Sequence, residues 1–121
     1  MKRIFVVEDN PAIRELILEL VSSFGYEGLG LCDGADLLTR LEECVPDLVV
    51  MDVRMPNMDG LQAIRRIREN ASLKHLRVIA LTASAMRGDR EMGLQSGFDA
   101  YLTKPIDPEL LQNEIERLLT A

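Results

Sequence analysis

Apolar residues fall into two alternating rhythms along the chain. Five short runs, Arg3 to Val7, Glu27 to Leu31, Leu48 to Asp52, Val78 to Thr82 and Ala100 to Thr103, read as strands. Between them the apolar residues recur at helical spacing. Ile13, Leu16, Ile17, Leu20, Val21 and Phe24 mark one face of a first helix, with Asn10 as N-cap, Pro11 in the first turn and Gly25 at the stop. A second helix is expected from Gly34 to Cys44, turning Leu37, Leu38 and Leu41 inward, with Pro46 closing it off. Met55-Pro56-Asn57-Met58-Asp59-Gly60 is turn chemistry, after which Leu61, Ile64 and Ile67 mark a third helix. A fourth, from about Met86 to Ser96, is the weakest: Gly88 and Gly93 lie within it and its apolar stripe is sparse, so weak packing there permits movement. The last begins near Pro108 and presents Leu111, Ile115, Leu118 and Leu119.

Strands alternating with helices predict an α/β fold, a parallel sheet of five strands covered on both faces and joined by right-handed crossovers. No internal repeat, low-complexity tract or linker interrupts the pattern, so residues 1–121 are expected to form a single domain.

Composition narrows the function. Hydrophobic residues make up 47% and charged residues 28%, as in ordinary globular proteins, and no apolar stretch approaches the ~20 residues of a membrane span. Met1-Lys2-Arg3 before an apolar run resembles the start of a signal peptide, but Glu8-Asp9 cuts that run too short, which predicts a cytoplasmic protein. A formal charge of -6 leaves no basic surplus for phosphate backbones, so protein partners are expected rather than nucleic acid or membrane. Cys32 and Cys44 lack the spacing of a zinc site or a disulfide framework and read as reduced and structural.

The chemistry is concentrated where strands end. Ile4-Phe5-Val6-Val7 runs into Glu8-Asp9, and Leu48-Val49-Val50-Met51 runs into Asp52. In one parallel sheet, all three carboxylates reach the carboxyl edge, where open α/β sheets place their sites. Three crowded acids raise at least one pKa unless a cation compensates. Oxygen ligands with no His or Cys beside them suit Mg²⁺.

Four motifs then occur in order: Val7-Glu8-Asp9-Asn10; Met51-Asp52 with Met55-Pro56-Asn57-Met58-Asp59-Gly60; Leu81-Thr82-Ala83; and Tyr101-Leu102-Thr103-Lys104-Pro105. Together they resemble the receiver domain of two-component response regulators, a resemblance that spans the whole chain. Ala83-Ser84-Ala85-Met86-Arg87-Gly88-Asp89 is additionally similar to stand-alone regulators of the bacterial cell-division type. The resemblance implies a doubly wound, flavodoxin-like fold with strand order 2-1-3-4-5, strands one and three adjoining at the topological switch point. It makes Asp52 the acceptor of a phosphoryl group from a sensor histidine kinase or a histidine phosphotransfer protein. Asp9 would bind Mg²⁺ directly, Glu8 mainly through water, and Asp52 and the backbone carbonyl of Arg54 would complete the protein's ligands. Many family members have Asp where this chain has Glu8; read without the family, Glu8 is a solvated charge at a strand end.

By the same resemblance the Thr82 hydroxyl and the Lys104 ammonium contact the phosphoryl group, with a cis Lys104–Pro105 bond aiming the Lys. Tyr101 is the switch aromatic, turning inward when Thr82 engages the phosphoryl group. The switch would alter a surface of helix four, strand five and helix five that binds a downstream protein, with Arg87, Arg90, Glu91 and Gln95 as exposed candidates. The protein would act as a monomer or a phosphorylation-dependent dimer. Arg54 and Ser84 would tune slow loss of its own phosphoryl group, and no external substrate is expected to turn over.

Other readings are weaker. A haloacid-dehalogenase-type phosphatase needs a second Asp two residues after the nucleophile, where this chain has Arg54. A flavin binder is disfavoured by the absence of Trp and of a Ser/Thr/Gly phosphate loop after the first strand. A non-phosphorylated pseudo-receiver, or a receiver excised from a longer transcription factor or hybrid kinase, remains as an alternative. Met55 and Met58 read as loop-shaping residues, thioethers being too soft for Mg²⁺, and His75 as an exposed loop residue.

Overall fold

In the computed structural model, which describes residues 1–55, 58–83 and 88–120, strands and helices alternate throughout. The order is β1 (Arg3–Val7), α1 (Pro11–Ser23), β2 (Glu27–Leu31), α2 (Gly34–Glu43), β3 (Leu48–Met51), α3 (Gly60–Glu69), β4 (Arg77–Thr82), α4 (Asp89–Ser96), β5 (Ala100–Thr103) and α5 (Pro108–Thr120). The strands form one parallel sheet in the order β2-β1-β3-β4-β5. The expected fold class and strand order are both present.

Alternation along the strands divides the core in two. Phe5, Val7, Val49, Met51, Val78, Ala80 and Tyr101 point to one face and pack with Leu37 and Leu41 of α2 and Ala63, Ile64 and Ile67 of α3. Ile4, Val6, Leu48, Val50, Ile79 and Leu81 point to the other and meet Ile17 and Val21 of α1 and Leu111, Ile115 and Leu118 of α5. Burial on both faces explains why the central strands read as near-continuous apolar runs.

Helix starts follow local chemistry. Asn10 Oδ1 accepts from the amides of Ala12 and Ile13, Asp33 Oδ1 from Asp36, and Asp59 with Gln62 forms a reciprocal capping box. The fourth helix differs from the sequence expectation. Its first turn begins at Asp89 after Gly88, which takes a left-handed φ of 95° and has no side chain to cap the helix; Met86 lies outside the described residues. In α1 the inward stripe is also shifted. Leu16 is exposed, and Leu18 instead packs over β2, where Gly28 and Gly30 leave room: a Cβ on either would lie 2.9 or 3.1 Å from its methyl groups.

A cationic clamp ties α3 to the far end of the sheet. Arg68 donates to the carbonyls of Gly97 (2.9 Å), Lys74 (3.1 Å) and Leu76 (2.5 Å) and to Asp99 Oδ2 (2.9 Å). Asp99 Oδ2 also accepts from the Val78 amide at 2.8 Å, so one ion pair joins α3, the start of β4 and the turn after α4.

Candidate functional site

Sheet register brings the strand-end residues to one level. Val7 pairs with Met51, so Glu8 and Asp52 leave β1 and β3 side by side, the Asp52 amide donating to the Val7 carbonyl at 3.0 Å. Thr82 pairs with Thr103, and the amide of the following Lys104 donates to the Thr82 carbonyl at 2.8 Å. The β3 ladder stops at Met51 rather than at Asp52, which releases the Asp52 side chain from the sheet into the edge. Its Oδ1 then accepts from the Arg54 amide at 3.1 Å, an Asx-type turn that starts the loop.

One carboxylate oxygen from each of Glu8, Asp9 and Asp52 lies within 4.8 Å of the others. Glu8 and Asp52 are buried, 2% and 7% exposed, whereas Asp9 is open to solvent. Lys104 Nζ sits between the two buried acids, 2.7 Å from Glu8 Oε1 and 3.1 Å from Asp52 Oδ2. Glu8 Oε2 accepts from the Asn10 amide at 3.2 Å. Burial pushes the Glu8 carboxyl above its ordinary pKa, with the bonds from Lys104 and Asn10 offsetting part of the rise. Burial also opposes the charge on Lys104, but its bonds to two acids outweigh it and hold that pKa above the usual value. The two directions agree: the ammonium keeps its charge beside the carboxylates, while its bond to Glu8 does not offset the burial of that carboxyl. An all-oxygen set with an exposed member fits a hard divalent cation that keeps several waters.

Thr82 is fully buried at the end of β4. Tyr101, in β5, is 5% exposed, its ring inside the α2/α3 half of the core and against Gly93 of α4. Lys104–Pro105 is a cis peptide. Beside Tyr101 a cleft of about 360 Å³ opens between Val53, Arg54, Asp59 and Leu61 on one side and Asp89 and Met92 on the other. Arg90, Glu91 and Gln95 are exposed on α4, whereas Ser84 and Arg87 lie outside the described residues, as does most of the stretch that resembles cell-division regulators. Met55 and Met58 pack against the core, and His75 is exposed. No helix among the described residues is long and apolar enough to cross a membrane.

Two contributors escaped the sequence reading. Gly93 registered only as a helix-weakening residue, and Arg14, whose Nη1 donates to the Glu8 carbonyl at 2.8 Å, gave no signal beyond its polar place in α1.

Known proteins resemble this chain in sequence and fold. The response regulator receiver domain model matches residues 4–116. The polar-differentiation response regulator DivK of Brucella ovis is 38% identical over 105 residues, which cover 87% of this chain and 85% of that protein. The receiver domain of a Pseudomonas aeruginosa sensor histidine kinase, solved with a magnesium ion coordinated in its active-site cleft, is 37% identical. It superposes with a TM-score of 0.91 over 99% of this chain and 98% of its own. Thermotoga maritima TrrA, a response regulator solved in complex with Mg²⁺–BeF, is 32% identical with a TM-score of 0.87 over 98% and 99%. With the family model spanning nearly every element of the fold, this chain belongs to the response regulator receiver domain family.

Proposed function

We propose that Asp52 accepts a phosphoryl group from the phosphohistidine of a histidine kinase or a histidine phosphotransfer protein. The observation that carries this reading is Asp52 itself, a buried carboxylate with an ammonium 3.1 Å from one oxygen and two further acids at its edge. In the transfer, an Asp52 oxygen forms the O–P bond as the P–N bond breaks and its electron pair leaves with the imidazole. Asp9, Asp52 and the Arg54 carbonyl would hold Mg²⁺. Glu8 acts mainly through water, a reading supported by the engagement of both its oxygens with Lys104 and Asn10. The ion's part is charge compensation between the acceptor and the phosphoryl oxygens. Lys104 balances the added charge and Thr82 donates to the phosphoryl group, so the site works by positioning and electrostatics rather than by acid/base catalysis.

The output is a change in the surface of α4, β5 and α5 that a downstream protein reads. Arg90, Glu91 and Gln95 lie exposed there beside the exposed Met92, Leu94 and Leu110, a polar and apolar mixture suited to a transient interface. The domain then signals as a monomer or a phosphorylation-dependent dimer, and slow loss of the phosphoryl group, tuned by Arg54 and Ser84, resets it.

The test is intact-protein mass after incubation with acetyl phosphate, in Mg²⁺ or in EDTA, for wild type and Asp52→Asn. A single Mg²⁺-dependent adduct absent from the variant is expected. An adduct of equal yield on Asp52→Asn overturns the acceptor assignment, and no adduct with either of two small phosphodonors turns the reading to a pseudo-receiver that captures partners unmodified.

A further inference from the structure

We infer that Arg14 is a positioning residue for the cation site, acting through the single peptide plane that joins Glu8 to Asp9; this rests on the Mg²⁺ reading above. Just past β1 the Glu8 amide still donates to the Leu31 carbonyl at 3.0 Å, continuing the pairing toward β2. A parallel ladder turns the amide and carbonyl of a residue to the same neighbour, so the Glu8 carbonyl also faces β2. There β2 ends at Leu31 and the chain turns into α2. Arg14 Nη1 takes the place of the missing strand amide, donating to that carbonyl at 2.8 Å.

The arrangement is built from two elements. Arg14 stands one turn into α1, its amide bonded to the Asn10 carbonyl at 2.9 Å. Its side chain crosses β2 over Gly30, where a Cβ would lie 3.1 Å from Cδ and 3.4 Å from Cγ of the Arg. A methyl at position 30 would require the Arg14 stem to shift by a few tenths of an ångström, against its bond to Glu8.

The bonded carbonyl belongs to the planar unit that carries both acids. Orienting that plane sets the direction from which the Glu8 carboxylate reaches Lys104 and from which the exposed Asp9 faces the cation. Glu8 is thereby held at all four of its polar atoms, by Leu31, Arg14, Lys104 and Asn10. Partners behind metal ligands typically alter affinity by roughly 10- to 100-fold when removed. The sign of the change separates positioning from simple charge. Removing a cation near three acids tightens binding of a second cation if charge is all that matters, whereas loss of the oriented plane weakens it.

The experiment is calorimetric titration of Mg²⁺ into wild type, Arg14→Met, Arg14→Lys and Gly30→Ala, with thermal unfolding and amide NMR of each metal-free protein. Expected are a Kd raised about 10-fold in Arg14→Met, a similar rise in Gly30→Ala although its charge is unchanged, partial recovery in Arg14→Lys, and displaced Asp9 and Asn10 amide resonances before metal is added. Unchanged or tighter Mg²⁺ binding in both Arg14→Met and Gly30→Ala, whatever happens to Tm, overturns the inference. A wild type that binds no Mg²⁺ overturns the cation reading and this inference with it.

Discussion

The ring of Tyr101 occupies space that is open only because residue 93 is glycine. A Cβ built on Gly93 would lie 2.6 Å from Tyr101 Cδ2 and 2.9 Å from Cε2. This glycine weakens α4, since Gly in a helix interior costs about 1 kcal/mol relative to Ala. In return it forms the slot in which the aromatic lies buried. Alanine at position 93 should therefore gain helix propensity and lose the slot. Overpacking costs about 1–3 kcal/mol, so Gly93→Ala is expected to be less stable than wild type and to turn the Tyr101 ring toward the cleft beside Met92. Quenching of tyrosine fluorescence by iodide, in a Tyr26→Phe background so that Tyr101 alone reports, would rise. An equally shielded ring in a more stable protein would show that Gly93 does not hold it.

The Arg68 clamp makes a different prediction, about stability alone. Four acceptors surround one guanidinium, and a lysine ammonium, a single nitrogen without the planar fork of donors, cannot meet them all. Arg68→Lys should lower the free energy of unfolding by about 2 kcal/mol, the scale of a lost charged hydrogen bond, while leaving Mg²⁺ affinity at the opposite edge of the sheet unchanged. Urea unfolding and metal titration on the same sample check both halves, and a large change in metal affinity would contradict the separation.

Glu8 predicts how stability follows pH. Its folded pKa lies above the ordinary value because burial outweighs its hydrogen bonds. An acid raised in this way keeps its proton longer in the folded state, so the stabilisation is complete below the unfolded pKa of about 4.3 and is lost as pH rises through the folded value. Glu8→Gln has no such titration. In EDTA, its stability relative to wild type should increase as the pH is raised from about 4 toward neutrality. Denaturation curves at a series of pH values measure the difference, and a flat line across that window would mean that Glu8 ionises as freely as an exposed acid.

The broad layout was legible in the sequence because the two strands that adjoin at the switch point, β1 and β3, each end on an abrupt change of polarity. Val7 to Glu8 and Met51 to Asp52 mark both the end of a strand and the beginning of the site. The helix faces were read from spacing alone, and most were right. Leu16 was not: 3.6-residue spacing gives a stripe about three residues wide, and which edge is covered depends on what lies beneath. Here Gly28 and Gly30 of β2 drew α1 toward Leu18. The start of α4 failed for a related reason, since a left-handed glycine at position 88 resets the helix where the apolar pattern carried no break.

By itself, then, the sequence determined which residues reach the carboxyl edge, because alternating burial and abrupt polarity changes are local properties of each strand. Only the tertiary structure decided which of them touch. Lys104 meets Glu8 across 96 positions of chain, more closely than it meets Asp52, through the register of four strands. Arg14 finds the Glu8 carbonyl because β2 ends at Leu31, before an amide that could meet it, and Tyr101 finds Gly93 because α4 packs on β5. Those contacts depend on where separate elements end and how closely they approach, quantities fixed by packing in three dimensions and written in no single stretch of the chain.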